Sequence, residues 1–248
     1  MSNPFASLNS AGLQEAEDRL GGGFKARESG AYDMRVKMAY TGASEKGALN
    51  VSLILEDDAG DYRETIYVTN KNGENFFLNK DDKTKKVPLP GFTVVDDICL
   101  AATGLPMAEQ TFEMKTVKIY DFDQKKEVPK EVQVITSILG KPVTVGLVQT
   151  LKNKGVQQAD GSYVDGPEER TEVNISKVFH TETKLTMAEA KAQKETAEFY
   201  PQWVEKNKGY VADKRTIKGG AGGAPVRSGP PSAAGGEAQA PRKSLFGK

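Results

Sequence analysis

The stretch GAYDMRVKMAY, residues 30–40, alternates large apolar and polar side chains: Tyr32, Met34, Val36, Met38 and Tyr40 against Asp33, Arg35, Lys37 and Ala39. A period of two is the signature of a strand with one buried face. Outward from it, Leu49, Val51, Leu53 and Leu55 alternate with Asn50, Ser52, Ile54 and Glu56 after a turn-rich connection. Asp57-Asp58-Ala59-Gly60-Asp61 has the composition of a tight turn, and YRETIYVT (62–69) is β-branched and aromatic. These three runs predict an antiparallel meander. A lysine-rich passage from Asn70 to Lys86 follows, with Phe76 and Phe77 inside it. FTVVDDICLAAT (92–103) then carries Val94, Val95, Ile98, Cys99 and Ala102 at helical spacing, with Gly104 as its stop. Two further alternations, Val143–Leu147 and Val173–Phe179, predict strands separated by a long polar hairpin loop, KNKGVQQADGSYVDGPEER (152–170).

Strand, strand, strand, helix, strand, strand is the order of a five-stranded Greek-key barrel of the OB type. The expected class is therefore mainly β with added helices (α+β). An insertion at about 105–140 holds a strand-like run at 116–122 and an apolar patch at 132–139. Thr186-Met-Ala-Glu189 forms a capping box that predicts a C-terminal helix over 186–199. Residues 1–23 are expected to be a mobile arm, 24–210 the folded domain, and 211–248 a flexible, Gly/Pro/Ala-rich basic tail. Gly21-Gly22-Gly23 lacks the Gly-Lys-Ser/Thr of a phosphate loop and reads as a linker.

The 248 residues balance 34 Lys and Arg against 34 Asp and Glu, but unevenly: seven basic residues against one acid from Lys214 onward leave +6 there and −6 before it. A body of that charge can track phosphates only along a local stripe or through its tail. One cysteine, Cys99, and one histidine, His180, exclude an internal disulfide and leave little for a soft-metal site. Cys99 on a helix's apolar face reads as a small buried hydrophobe. Asp33, Asp61 and Asp121 lie on separate strands, but nothing in their spacing requires convergence on a metal, so no enzymatic activity and no cofactor are expected. No apolar run reaches bilayer length and no secretory signal is seen, so the host cytoplasm is the expected location.

Aromatic and basic residues recur together in the strands. Single-stranded nucleic acid is held by cations that meet phosphates and flat side chains that stack on bases. The candidate contacts are Arg35, Lys37, Tyr40, Arg63, Tyr67, Lys71, Phe76, Phe77 and Lys80, with Lys115, Lys118, Tyr120 and Phe122 in the insertion. Leu245 and Phe246 place an apolar dipeptide near the end of the tail, the pattern of a docking tip.

RETIYVTNKNG (63–73), LPGF (89–92), CLAATG (99–104), VKIYDFDQKKEVPKEV (117–132), LGKPVTVG (139–146), EVNISKVFH (172–180) and a tail closing in KSLFGK give the chain its character. On these segments it resembles the single-stranded DNA-binding proteins of tailed bacteriophages. The resemblance implies an OB fold that coats single-stranded DNA during phage replication and recombination, without catalysis, and a tail that recruits replication partners. One feature departs from it: many such proteins end in an acidic tail, whereas this tail is basic and cannot mimic DNA in the protein's own groove. A phage structural or assembly protein whose β-rich body self-associates is the alternative reading, and a homo-oligomer is compatible with either.

Overall fold

In the computed structural model, residues 26–121 and 124–217 are described. The chain is mainly β with a few helices. The elements are strands β1 (Gly30–Ala43), β2 (Leu49–Asp57), β3 (Gly60–Tyr67), β4 (Phe76–Leu78) and β5 (Lys86–Pro88), helix α1 (Pro90–Thr103), strands β6 (Phe112–Asp121), β7 (Lys126–Ile135), β8 (Pro142–Gln157) and β9 (Tyr163–Phe179), helices α2 (Met187–Lys191) and α3 (Phe199–Asn207), and strand β10 (Val211–Asp213). The meander β1–β2–β3 pairs antiparallel as expected, and its tight turn is closed by Asp57, whose Oδ1 accepts the Ala59 amide at 2.9 Å. Arg27 clamps the same turn with a two-pronged ion pair to Asp57 at 2.6 and 2.7 Å and a bond to the Gly60 carbonyl.

The ladder runs β3-β2-β1-β8-β9. β1 is long enough to serve two partners along one edge: its first half pairs with β8 and Tyr40 pairs with Val134 of β7. Between Val36 and Met38 the register with β2 shifts. Such a bulge inserts one residue and reverses the parity of the strand, so Met34 and Val36 are buried before it and Ala39 after it. The single alternation expected from Tyr32 to Tyr40 is thereby corrected: Tyr40 lies on the outer face, opposite Ser52.

No backbone pairing joins β3 to β9 among the described residues. Side chains bridge the two edges instead. Glu64 accepts the Ile175 amide at 2.9 Å and the Asn174 side-chain amide at 3.0 Å, and the Tyr62 hydroxyl lies 2.6 Å from Glu64 and 3.0 Å from the Val173 carbonyl. Burial pushes the Tyr62 hydroxyl well above its usual range, so it remains a donor. Inside lie Val36, Leu53, Leu55, Val143, Val145, Leu147 and Val178, closed off by Val95, Ile98 and Cys99 of α1. α1 ends, as expected, on Gly104 in the left-handed conformation (φ 77°), its amide bonded to the Leu100 carbonyl. Gly91 fits against the end of β3 because a Cβ there would meet the Tyr67 carbonyl oxygen at 2.1 Å.

Four boundaries differ from expectation. The insertion is a regular ribbon, β6 paired with β7 over ten residues. The polar segment 152–170 is not a loop: β8 and β9 continue through it as a second ribbon and turn only at 158–162, since exposed strands need no apolar alternation when the ladder itself is satisfied. The helix expected over 186–199 stops at Lys191, and a separate helix begins at Phe199, the two joined through Glu189. Residues 211–213, expected to begin the tail, form β10 parallel to β8, and Asn153 fixes Thr216 and Ile217 by bonds to their backbone. The expected arm at 1–23 lies outside the described residues. No helix among the described residues is long and apolar enough to cross a membrane.

Candidate functional site

The sheet has an outer surface, and much of it is covered. Outward-facing positions of β8 alternate with the core residues Val143, Val145 and Leu147, which leaves Thr144 and Gly146 on the outside. Trp203 of α3 lies flat against Gly146, where a Cβ would sit 2.5 Å from the ring. Phe179 packs edge-on against Trp203 and Tyr200, with centroids 5.8 and 5.0 Å apart. Beside this aromatic layer Lys184 holds Asp33 at 2.5 Å and Thr144 at 3.0 Å. The helices thus seal the outer face of β8, the end of β9 and the start of β1.

The outer face of β2, β3 and the second half of β1 lacks these helices, although Asn50 within it is buried and Tyr40 is half-buried. Register sets three rows across it: Met38, Ile54 and Arg63; Tyr40, Ser52 and Thr65; Gly42, Asn50 and Tyr67. Residues opposite one another in an antiparallel ladder share a face, so Tyr40, Arg63 and Tyr67 are brought onto one surface. Met38 and Ile54 share a row with Arg63 on this face and were not anticipated. Ile54 was the available signal, an apolar residue on the otherwise polar side of β2. Tyr67 is 51% exposed and the Arg63 side chain 67%.

Charge is distributed unevenly over this face. At one end Lys37 binds Asp61 at 2.8 Å and Glu56 at 3.3 Å, contacts that raise its pKa and lower that of Asp61. Arg63 makes a longer contact, 3.4 Å, with the same Asp61, and Arg35 donates to the Gly140 carbonyl at 3.2 Å. The other end, around Tyr40 and Tyr67, carries no acid in its rows. There Lys71 projects from a turn that packs beside Gly47 of the β1–β2 connection. Lys71 and Lys80 make no ion pair among the described residues.

Phe76 and Phe77 fall on the short β4–β5 hairpin and, as strand neighbours, point to opposite faces. Phe76 is half-buried, with the Lys86 ammonium 4.2 Å from its ring centroid, while Phe77 is 47% exposed. Only Phe77 offers an open ring. On the β6–β7 ribbon, Lys115 shares one face with Val117 and Ile119, and Lys118 shares the other with Tyr120. Lys115 is also held by Glu113 at 3.2 Å. Phe122, Leu245 and Phe246 lie outside the described residues.

The acids that the sequence singled out are taken up in ion pairs. Asp33, Asp61 and Asp121 are each engaged by a lysine, Lys184, Lys37 and Lys130 respectively. Among the described residues no three His, Cys, Asp or Glu side chains are grouped to hold a metal ion. Burial pushes the Cys99 thiol up to about 12, which keeps it protonated. His180 shares a 3.0 Å hydrogen bond with Thr183 in a tight turn. The cleft of about 660 Å³ along the β3–β9 seam is walled by Tyr62, Val173 and an Arg27 already committed to Asp57. The chain matches no protein-family model and no curated protein.

Proposed function

We propose that this chain binds single-stranded DNA without strong sequence preference, on the uncovered outer face of β1, β2 and β3. The observation that carries the reading is that face itself: Tyr40 and Tyr67 stand on strands either side of β2, with Ser52 and Asn50 between them and Met38 and Ile54 in the row beyond Tyr40, on the part of the sheet the C-terminal helices leave open. Unpaired bases stack on Tyr40, Tyr67 and Phe77, while Arg35, Arg63, Lys71 and Lys80 meet phosphates. Duplex DNA hides its base faces and is expected to bind less well. The reading includes an OB-type architecture, supported by the ladder order β3-β2-β1-β8-β9, by a helix following β3, and by the side-chain bridges between β3 and β9. The protein would keep strands unpaired and protected during phage replication and recombination. Leu245 and Phe246 would present the coated strand to replication proteins.

Fluorescence anisotropy of a labelled 30-nucleotide DNA, single-stranded and duplex in parallel at low and physiological salt, tests this. Single-strand binding should persist at physiological salt and exceed duplex binding. Base stacking contributes about 1–3 kcal/mol per aromatic by alanine substitution, so Tyr40→Ala with Tyr67→Ala should weaken binding at least tenfold. Unchanged affinity in that variant would remove the face from the function. A large homo-oligomer indifferent to DNA would replace the reading with an assembly role.

A further inference from the structure

Strand β6 pairs with β7 on one side and with no other strand among the described residues. An open edge presents unsatisfied backbone N–H and C=O groups, a template for another strand. Proteins usually blunt such edges with a proline, a bulge, extreme shortness or charged side chains, lysine above all. FEMKTVKIYD contains no proline and stays in register with β7 for ten residues, so its charges, Glu113, Lys115, Lys118 and Asp121, are what a partner strand must accommodate. Half of its ten side chains are apolar. Phe112 is 36%, Met114 61% and Tyr120 48% exposed on one face, and Val117 and Ile119 lie on the other. A two-stranded ribbon is marginal in water, and a third strand is what ordinarily stabilises it.

The sequence of β6 selects the occupant. Two copies of one strand pairing edge to edge are related by a two-fold axis perpendicular to the sheet, which keeps like faces together. Residues of equal parity must therefore oppose one another, and the axis must pass midway between the two copies of a residue near the middle. Centred on Lys115, the pairing sets that lysine against itself. Centred on Val117, it sets Glu113 against Asp121. Centred on Thr116, it sets Phe112 against Tyr120, Met114 against Lys118, Glu113 against Ile119 and Lys115 against Val117, with no like charges directly opposed and an aromatic pair at each end.

We propose that the chain forms a homodimer by antiparallel pairing of β6 with β6 of a second copy, with the two-fold axis at Thr116. Lys118 and Tyr120, candidates for nucleic-acid contact, then serve the subunit contact instead.

Light scattering on the full chain should give twice the 26.9 kDa of one copy. Thr116→Cys places two thiols across the axis, where opposed Cα atoms are about 4.5–5.5 Å apart, within disulfide reach. Mild oxidation should cross-link that variant. Thr65→Cys, on the outer face of β3, should not cross-link, and the native Cys99 is buried. Met114→Lys opposes the partner's Lys118 and should give a monomer, and adding Lys118→Glu to it should restore the dimer. Met114 is mostly exposed, so its replacement spares the fold of the single copy. A monomeric wild type, a dimer that does not cross-link through position 116, or a charge exchange that fails to restore pairing would each overturn the proposal.

Discussion

The carboxylate of Glu189 joins the two C-terminal helices. One oxygen accepts the amide and hydroxyl of Thr186 at 2.9 and 3.0 Å, and the other accepts the amides of Glu198 and Phe199 at 3.1 and 2.9 Å. Burial alone would raise its pKa, but the Thr186 and Phe199 amides, with the Thr186 hydroxyl and the Glu198 amide, outweigh it and hold the carboxyl below its ordinary value. A depressed folded pKa contributes stability that is present above the unfolded value, about 4.3 for glutamate, and is lost as pH falls through the folded one. Glu189→Gln can still accept at one oxygen but turns an N–H₂ toward donors on the other side. At pH 7 it should lose about 1–3 kcal/mol, the cost of leaving buried donors unsatisfied. The gap between variant and wild type should narrow below about pH 4. Urea unfolding followed by Trp203, the single tryptophan, which is seated in α3, measures both. A gap that stays constant with pH would mean that the carboxylate's charge plays no part in joining the helices.

At the scale of elements, β10 shows how far the folded body reaches. Its residues pair with Gln149, Thr150 and Leu151, the Lys214 amide continues the run to the Leu151 carbonyl, and Asn153 holds Thr216 and Ile217. A chain ending at Tyr210 should therefore melt below one ending at Ile217, and differential scanning calorimetry of the two truncations would show it. Equal midpoints would make β10 a passive neighbour of β8. This segment was hidden in the sequence because VADKRTI is short and polar and borders a Gly/Pro/Ala-rich run. Its order comes from tertiary hydrogen bonds to Asn153, which no local pattern records. The same reason explains the ribbon in β8 and β9. The meander and α1 were legible because each buries one face, and burial imposes periodicity. The bulge after Val36 was not, since a run of apolar residues at even positions reads as one continuous face until the ladder shows where an extra residue enters. Tyr40 and Tyr67 could be proposed from composition, but their meeting on one surface depends on that bulge. Phe76 could not be told from Phe77, because only the cross-strand Lys86 distinguishes them.

For the whole molecule, the division of charge offers a way to tell a stacking face from an electrostatic tail. Residues 218–248 contain five basic side chains and one acidic one, so removing them takes the chain from neutral to −4. Arg215, just before that point, is already engaged by Asp213 and Glu169 and has little to offer a phosphate. On the open face, Lys37 is similarly spent on Asp61 and Glu56. Affinity for single strands falls with salt at a slope of about 0.7 per phosphate neutralised, whereas stacking on Tyr40, Tyr67 and Phe77 releases no counterions. If the face carries recognition, a protein ending at Ile217 should keep its preference for single strands over duplex. Its logarithmic salt slope should then be shallower than that of the full chain, by an amount set by the tail cations that had met phosphates. If the tail carries it, the same truncation should abolish binding to both forms of DNA, and the full chain should bind them alike and lose them together as salt rises. Anisotropy titrations of the two proteins at several salt concentrations separate these cases. The ratio of single-strand to duplex affinity assigns recognition to one surface or the other, because only a face that accepts unpaired bases can hold that ratio above one when the tail is gone.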